Sequence, residues 1–324
     1  MKIDFRCVCL AAWALALSAC AQTAPLEGGW RAIEVTASPA PLGAESVGQL
    51  RFLGGIELRS PSEMFGGISD IAVRPDGSFV AITDASVFIK GTLALDDHFA
   101  PTGVSDVEIA EMRDEDGRFF EYKALGDSEG LQLLPDGRAL VSFEHHQVLR
   151  YYDLDHPEAA SERGPTLQGA SELPQNGGLE ALAMFEDGRF LIGGEDTGTI
   201  WVADPNAEED VPPQSRLNLP EGYGLVDFDR LPDGDFVALL RFYSPTIGVR
   251  IKVLRLSAGS LFAANGTART SEIAHLQAPL ALDNFEGVSA VQHDGRIVLY
   301  LASDDNFNAR QRTLIYAFEL REPR

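Results

Sequence analysis

The segment Ser69-Asp70-Ile71-Ala72-Val73-Arg74-Pro75-Asp76-Gly77 is the most informative part of the sequence, because related segments recur along the chain. Each copy is a short apolar run that ends in an Asp-Gly turn, a pattern typical of a β-hairpin. The turn aspartates recur at intervals of 60, 51, 46 and 61 residues. The later copies are Glu129–Gly137, Glu180–Gly188, Val226–Gly234 and Glu286–Gly295.

Further strands follow each turn, for example Arg138–Phe143 and Gln147–Leu154. A small sheet made by one such unit leaves apolar surface uncovered, so neighbouring units must stack. Units of roughly 40 to 50 residues with several strands each are typical of a β-propeller. We therefore predict an all-β fold, a β-propeller with five visible repeats. We favour six blades, with a degenerate blade in the long interval from Val87 to Tyr122.

The two ends of the repeat region predict how the ring is closed. Gln49–Leu58 forms a strand before the first repeat, and the last repeat ends with Thr313–Leu320. We therefore expect the N-terminal strand to complete the last blade.

The first residues predict export and a lipid anchor. Lys2 and Arg6 precede the apolar run Cys7–Leu17, which is too short to span a bilayer but suits a signal peptide. Leu17-Ser18-Ala19-Cys20 resembles the lipobox of bacterial lipoproteins, in which the cysteine is acylated after cleavage. The alternative is an ordinary signal cut near Ala24.

These signals predict a signal peptide over residues 1–19, a lipidated tether over 20–29 and one propeller domain over 30–324. The expected location is the cell envelope, with the chain anchored to a membrane only through its lipid. Because Ala21 is not an aspartate, we expect the periplasmic side of the outer membrane if the cell has one.

The composition excludes several classes of function. Acidic residues outnumber basic ones by 49 to 26, giving a net charge of −23, which argues against nucleic acid and anionic lipid as partners and favours cations. Two of the three cysteines lie in the predicted signal peptide and the third is Cys20, so no disulfide or thiolate metal site is expected. A small anionic substrate or an envelope ligand is the expected partner, and the sequence does not indicate an oligomeric state.

Acidic residues recur at equivalent places in the repeats. Residues equidistant from a hairpin turn face each other across the strands. This rule predicts the pairs Glu129–Glu144, Glu180–Glu195, Ser69–Asp84 and Val226–Arg241, and places Glu286 near Ser303 and Asp304. All of them lie at the end of the blade opposite the Asp-Gly turn, which we expect to form one mouth of the central channel.

Two Glu–Glu pairs in equivalent places require compensation, because like charges on paired strands repel. Arg241 occupies a position that an acid fills in other repeats, and carboxylate oxygens are ligands that Ca²⁺ prefers. We therefore predict a Ca²⁺ site formed by Glu129, Glu180, Glu195, Glu286 and Asp304. The alternative is that these acids accept hydrogen bonds from backbone N–H groups of neighbouring blades and hold the ring together.

Several phrases in the chain resemble one protein family. They are Phe65-Gly66-Gly67-Ile68-Ser69, Asp127-Ser128-Glu129-Gly130-Leu131, Asn176-Gly177-Gly178-Leu179-Glu180, Asn284-Phe285-Glu286-Gly287 and Ser303-Asp304-Asp305-Asn306-Phe307. From about Gly48 to Leu320 the chain is similar to the phytase-like, "esterase-like activity of phytase" family of bacterial secreted proteins. The resemblance implies a propeller related to calcium-dependent phytases and, as an expectation, hydrolysis of phosphoesters.

Hydrolysis of a phosphoester needs cations that meet the phosphate oxygens. Arg241, His145 and Glu144 are the predicted catalytic residues, but the rich Lys/Arg lining that suits phytate is missing. Further basic candidates near the mouth are His146, Arg310 and Arg312. A serine esterase is not supported, because no Ser, His and Asp in the chain can be tied together by their spacing.

Three functions therefore stay open: a calcium-dependent phosphoester hydrolase, another metal-dependent propeller hydrolase of the lactonase type, and a non-catalytic propeller that binds a ligand or a protein.

The lipid anchor is directly testable. If Cys20 is the acylated residue, Cys20→Ser should move the protein from the membrane fraction to the soluble fraction and abolish fatty-acid labelling. A Cys20→Ser protein that still carries radiolabelled palmitate and sediments with membranes would contradict the prediction, whereas Cys9→Ser should behave as the wild type.

Overall fold

The computed structural model describes residues 29–120 and 126–321, and these residues form an all-β propeller of five blades. The predicted signal peptide, Cys20 and most of the predicted tether lie outside the described residues. The described helices include two short 3₁₀ segments, Ala170–Glu172 and Ala258–Phe262. Within the described part of the chain, no helix is long and apolar enough to span a bilayer.

Each sequence repeat supplies the inner strands of one sheet. The first blade consists of β1 (Arg31–Ala32), β5 (Ile68–Val73), β6 (Ser78–Thr83), β7 (Val87–Leu95) and β8 (Pro101–Glu111). The second consists of β9 (Ser128–Leu133), β10 (Arg138–Phe143), β11 (Val148–Asp153) and β12 (Glu162–Arg163). The third consists of β13 (Leu179–Met184), β14 (Phe190–Gly194), β15 (Thr199–Ala203) and β16 (Pro213–Arg216).

The last two blades complete the ring of sheets. The fourth consists of β17 (Tyr223–Arg230), β18 (Phe236–Ser244), β19 (Gly248–Leu256) and β20 (Thr270–Leu276). The fifth consists of β2 (Thr36–Pro39), β3 (Ser46–Val47), β4 (Leu50–Arg59), β21 (Asn284–His293), β22 (Arg296–Asp304) and β23 (Thr313–Leu320). Sequential antiparallel pairing within each repeat follows from the Asp-Gly turns.

The preference for six blades is wrong, because the described residues form five sheets. The interval assigned to a degenerate blade instead supplies β7 and β8, two long strands that pair with each other from Val87–Glu111 to Leu95–Pro101 and widen the first sheet. In the fifth blade, β4 lies between β2 and β23, with Leu50 opposite Leu320 and Leu58 opposite Thr313.

The apolar core is divided into five clusters, one between each pair of neighbouring blades. Leu299 and Val253 belong to the cluster between the fifth and fourth blades, and Val298 and Ala81 to the one between the fifth and first. Because both faces of each sheet are covered in this way, alternate residues of a strand pack against different neighbours.

The innermost strands of neighbouring blades are joined by aspartates. Asp70 on β5 accepts the Leu131 N–H of the next blade at 2.6 Å, and Asp227 on β17 accepts the Val288 N–H at 2.6 Å. These strands belong to different sheets, so side-chain carboxylates satisfy backbone donors that have no partner strand on that side.

Asp70 and Asp227 also hydrogen-bond to each other, although they come from the first and fourth blades. Burial raises the pKa of Asp70 to about 7, and burial and the neighbouring Asp70 raise the pKa of Asp227 well above its usual range. Two carboxyl groups in such contact share one proton, because both cannot ionise without strong repulsion. The pair lies beside a cavity of about 270 Å³ that Asp70, Asp229 and Ser289 help to line.

The position of β4 predicts a large effect of its removal. Deletion of residues 49–58 takes the strand between β2 and β23 out of the fifth sheet and exposes the edge of β23. We expect the melting temperature to fall by more than about 10 °C, with aggregation detected by light scattering. Removal of residues 1–28 is the control and should leave melting unchanged. Equal melting temperatures for the two truncations would overturn the prediction.

The Asp70–Asp227 pair predicts a pH dependence of stability. A carboxyl group whose folded pKa is raised stabilises the fold below its unfolded pKa and loses that contribution as the pH rises through the folded pKa. For Asp70 the window runs from 3.8 to about 7, at up to about 1.4 kcal/mol per pH unit. In chelator, the melting temperature should therefore fall between about pH 4 and pH 7.

Asp227→Asn should make this dependence shallower, because an amide can donate to ionised Asp70 without a shared proton. Asp76→Asn is the control, since hydrogen bonds from Ser78 lower the pKa of this exposed turn residue and keep its titration below the window. An Asp227→Asn protein with the wild-type pH slope would show that the pair does not hold the proton.

Candidate functional site

Each inner strand carries a β-bulge close to the mouth of the channel. The register shifts between Ile68 and Asp70 in the first blade, and at the equivalent place in the other four. The bulges contain Ser69, Glu129, Glu180, Val226 and Glu286, which are the first residues of the aligned sequence repeats. A bulge turns the local side chain away from the regular pleat, so the same structural device sets the direction of each residue.

The observed register differs from the predicted cross-strand pairs in the first four blades, whereas Glu286 does lie beside Ser303. The Glu144 N–H donates to the Asp127 carbonyl at 2.9 Å, and the Glu195 N–H donates to the Gly178 carbonyl at 2.9 Å. Arg241 lies opposite Gly224 rather than Val226. Equal counting from the turn fails for two reasons: pairing is already offset by one residue at the turn, where Arg230 rather than Leu231 lies opposite Phe236, and each bulge adds a further residue to the inner strand.

Three glutamates from the second and third blades approach one another at the mouth. Glu144 follows β10, Glu180 lies in the bulge of β13, and Glu195 follows β14. One carboxylate oxygen from each lies within 4.8 Å of the others, and we call this set the carboxylate triad. Of the predicted metal ligands, the triad contains Glu180 and Glu195; among the described residues, Glu129, Glu286 and Asp304 do not belong to a group of this compactness.

Backbone N–H groups position one member of the triad, Glu144. Glu144 accepts hydrogen bonds from the N–H groups of Gly177 and, at 3.3 Å, Gly178. Gly177 has φ +116°, a conformation that residues with a side chain rarely adopt, and it brings its N–H toward the carboxylate. The Asn-Gly-Gly sequence before β13 therefore positions a residue of the neighbouring blade.

Burial and mutual repulsion favour protonation of the acids at the mouth. Burial and the charges of Glu195 and Glu129 raise the pKa of Glu180 well above its usual range, while Arg241 opposes the shift. Burial and several nearby acids, Asp127 first, do the same for Glu129. Such a cluster binds a cation, protons or an arginine in order to be stable.

Arg241 supplies part of this compensation. Its Nη2 lies 3.2 Å from Glu195 Oε1, its Nη1 donates to Asn284 Oδ1 at 2.9 Å, and its Nε lies 3.5 Å from Glu286 Oε1. Burial alone would lower the pKa of Arg241, but Glu286, Glu180 and Glu195 raise it above its usual value. Arg241 therefore stays charged and links the third, fourth and fifth blades.

Glu286 and Asp304 form a separate pair around Asn284 in the fifth blade. Asn284 Nδ2 donates to Glu286 Oε1 at 2.8 Å and to Asp304 Oδ2 at 3.4 Å. Burial raises the pKa of Glu286 to about 7 despite Arg241, and burial and Glu286 raise the pKa of Asp304 to about 8. The Asn284 amide therefore bridges these two acids, which do not belong to the carboxylate triad.

His145 has a partner that the sequence analysis missed. Its Nε2 lies 3.1 Å from Asp127 Oδ2, and Asp127, Glu144 and His145 form a second compact group of ligand atoms. The only sequence signal for Asp127 is its place in the Asp-Ser-Glu phrase before the bulge. His146 is exposed.

The predicted basic residues do not line the mouth as free cations. Arg312 Nε lies 3.2 Å from Asp283 Oδ2, and its Nη2 donates to the Leu282 carbonyl at 3.3 Å. Arg310 is exposed on the loop between β22 and β23. The mouth thus combines an oxygen-only triad, an Asp–His pair and one arginine whose charge is already countered by acids.

Comparisons with known proteins give weakly similar solved structures and one family model. A search of curated proteins finds no matching sequence. Among solved structures, virginiamycin B lyase from Staphylococcus aureus is 8% identical with a TM-score of 0.44, over 89% of this chain and 100% of that chain. The major Malassezia sympodialis allergen Mala s 1 is 13% identical with a TM-score of 0.44, over 86% and 92%. Likenesses at this level carry no argument about function.

The match to a family model is more specific. The model described as "Phytase-like: Esterase-like activity of phytase" matches residues 63–307, which is more than half of the chain. The matched range begins just before β5 and ends after β22, so it includes all five bulges and the carboxylate triad. The chain therefore belongs to the phytase-like family.

Proposed function

We propose that the chain is a metal-dependent hydrolase of ester bonds with Ca²⁺ at the mouth of the propeller. The carboxylate triad carries this proposal, because its three oxygens approach within 4.8 Å although burial and repulsion oppose three charges in one place. The donor set fits a hard cation, since Ca²⁺ prefers carboxylate oxygens and needs no sulfur or imidazole. Waters and neighbouring carboxylates would complete its six to eight ligands.

The chemistry follows from three groups around the triad. The bound cation would act as a Lewis acid toward the ester oxygen. His145, oriented through Nε2 by Asp127, would accept a proton from water and return it to the leaving group. Arg241 would stabilise negative charge that develops on the substrate.

The pairing of the basic side chains favours an uncharged ester or a lactone as substrate. Arg241, His145 and Arg312 each lie beside a carboxylate, so a multiply charged phosphate would meet acids as well as these cations. This arrangement supports the lactonase-type alternative over a phytase.

A phosphomonoester is the second candidate, and one atom favours it. The Nε of Arg241 has no hydrogen-bond partner among the described residues, and the side chain is 24% exposed. An incoming phosphate oxygen would give that buried donor an acceptor.

Calcium binding is tested by melting curves with Ca²⁺ or chelator. A ligand that binds only the folded state stabilises it by about 2.7 kcal/mol at a hundredfold excess over Kd, so Ca²⁺ should raise the wild-type melting temperature. Glu180→Gln and Glu195→Gln should each lose most of this rise. Glu186→Gln is the matched control, because Glu186 is 87% exposed on the turn at the other end of the same hairpin.

Activity separates the two substrates. We expect 4-nitrophenyl acetate to be hydrolysed faster than 4-nitrophenyl phosphate, with loss of activity in chelator and in His145→Gln. The reverse order, together with loss of phosphatase activity in Arg241→Gln, would favour the phosphomonoester. Neither activity, together with melting unaffected by Ca²⁺, would reject the hydrolase in favour of a binding protein.

A further inference from the structure

A row of aromatic and basic side chains crosses the fourth blade at its mouth end. Tyr223 on β17 is directly opposite Phe242 on β18, and Phe242 is directly opposite Arg250 on β19. Directly opposite residues share a face of the sheet. Two residues along β19, Lys252 lies on the same face and is opposite His275 on β20.

These five side chains, which we call the blade-4 cluster, contact one another. The rings of Tyr223 and Phe242 have centroids 5.5 Å apart. The Arg250 Cζ lies 5.5 Å from the Phe242 ring centroid, and the Lys252 Nζ lies 5.8 Å from that of Tyr223. The two cations therefore lie over adjoining rings, which restricts their side chains and holds their charges close together.

The charge of the cluster is unusual in a chain with a net charge of −23. Lys252 pairs with Glu272, but Arg250 forms no ion pair within residues 29–120 and 126–321. The charged groups that act on Tyr223 and His275 are Lys252, Arg250 and Glu272. Two cations and one acid leave the cluster with a local positive charge.

The Tyr223–His275 pair adds a neutral donor. Burial and Lys252 lower the pKa of His275, and burial raises the pKa of Tyr223, so both groups are uncharged at neutral pH. The Tyr223 hydroxyl lies 2.9 Å from His275 Nε2. The neutral imidazole carries one ring hydrogen, so the hydroxyl either donates to Nε2 and leaves the Nδ1–H available, or accepts from Nε2–H and leaves its own O–H available.

We propose that the blade-4 cluster binds an anionic group, a carboxylate or a phosphate, of a small ligand. Arg250 is suited to bidentate contact with such a group, and Lys252 and the Tyr223–His275 pair offer additional donors. The site is next to the mouth, since Tyr223 adjoins Gly224, where an added Cβ would lie 2.5 Å from Glu195 Oε1. This inference goes beyond the proposed function, because the blade-4 cluster is a binding site separate from the carboxylate triad.

The test uses the full chain at low ionic strength and about pH 7.5, where charge contacts are least screened. Benzoate, phenyl phosphate and the uncharged isostere benzamide are titrated while the His275 ring resonance is followed by NMR, assigned with His275→Asn. Both anions should shift the resonance in a saturable way, and benzamide should bind at least about tenfold more weakly. Tighter binding of one anion identifies its group as the preferred one.

Arg250→Gln should weaken binding of both anions by about tenfold or more. Arg296→Gln is the matched control, because Arg296 also lies over an aromatic ring, with its Cζ 4.6 Å from the Phe99 centroid. Arg296 begins β22 of the fifth blade, at the end of that blade away from the mouth. Equal shifts with benzamide and benzoate, or wild-type affinity in Arg250→Gln, would overturn the proposal. No metal and no turnover enter this assay, so a lack of anion binding would leave the hydrolase proposal intact. Likewise, a lack of hydrolase activity would leave the anion-binding proposal intact.

Discussion

The hydrogen bond from an aspartate on one inner strand to a backbone N–H on the next is the interaction on which the rest of the structure depends. Inner strands of neighbouring blades belong to different sheets and cannot pair along their length. Asp70 reaches Leu131, and Asp227 and Asp229 reach Val288 and Ala290, each at 2.6 Å. These contacts satisfy donors around the channel without closing it as a continuous barrel. They also require carboxyl groups to be buried together at the axis.

That requirement explains why the channel and its mouth are electrostatically different. Inside the channel, acids are compensated by backbone donors and a shared proton, as in the Asp70–Asp227 pair. At the mouth, bulges aim glutamates at one another, and compensation comes from a side chain, Arg241. Of the three carboxylates in the triad, only Glu195 forms an ion pair with Arg241. Charge that remains there is available to a cation.

The sequence predicted the repeats well because Asp-Gly turns are local signals, and it located Glu180 and Glu195 within the same site. It could not predict the bulges, because the residues around Glu180 are compatible both with a bulge and with a regular strand. The pairing errors at Glu144 and Arg241 follow from these bulges together with a one-residue offset at each turn. Asp127 was missed because its contact with His145 depends on that extra residue. The prediction of a sixth blade was wrong because the long interval from Val87 to Glu111 is occupied by two long strands of the first blade, β7 and β8.

The arrangement of the fifth blade has a consequence for how the chain folds. Leu50 of β4 pairs with Leu320 of β23, so these two strands can pair only after residues 313–320 have been made. At ordinary rates of synthesis this delay is on the order of tens of seconds, long compared with the folding of a local hairpin. During that time β4 can pair with β2 and β3, but its other edge is uncovered, and exposed strand edges associate with other chains. The early hairpins can form as they emerge, but the edge of β4 that faces β23 stays exposed until residues 313–320 have been made.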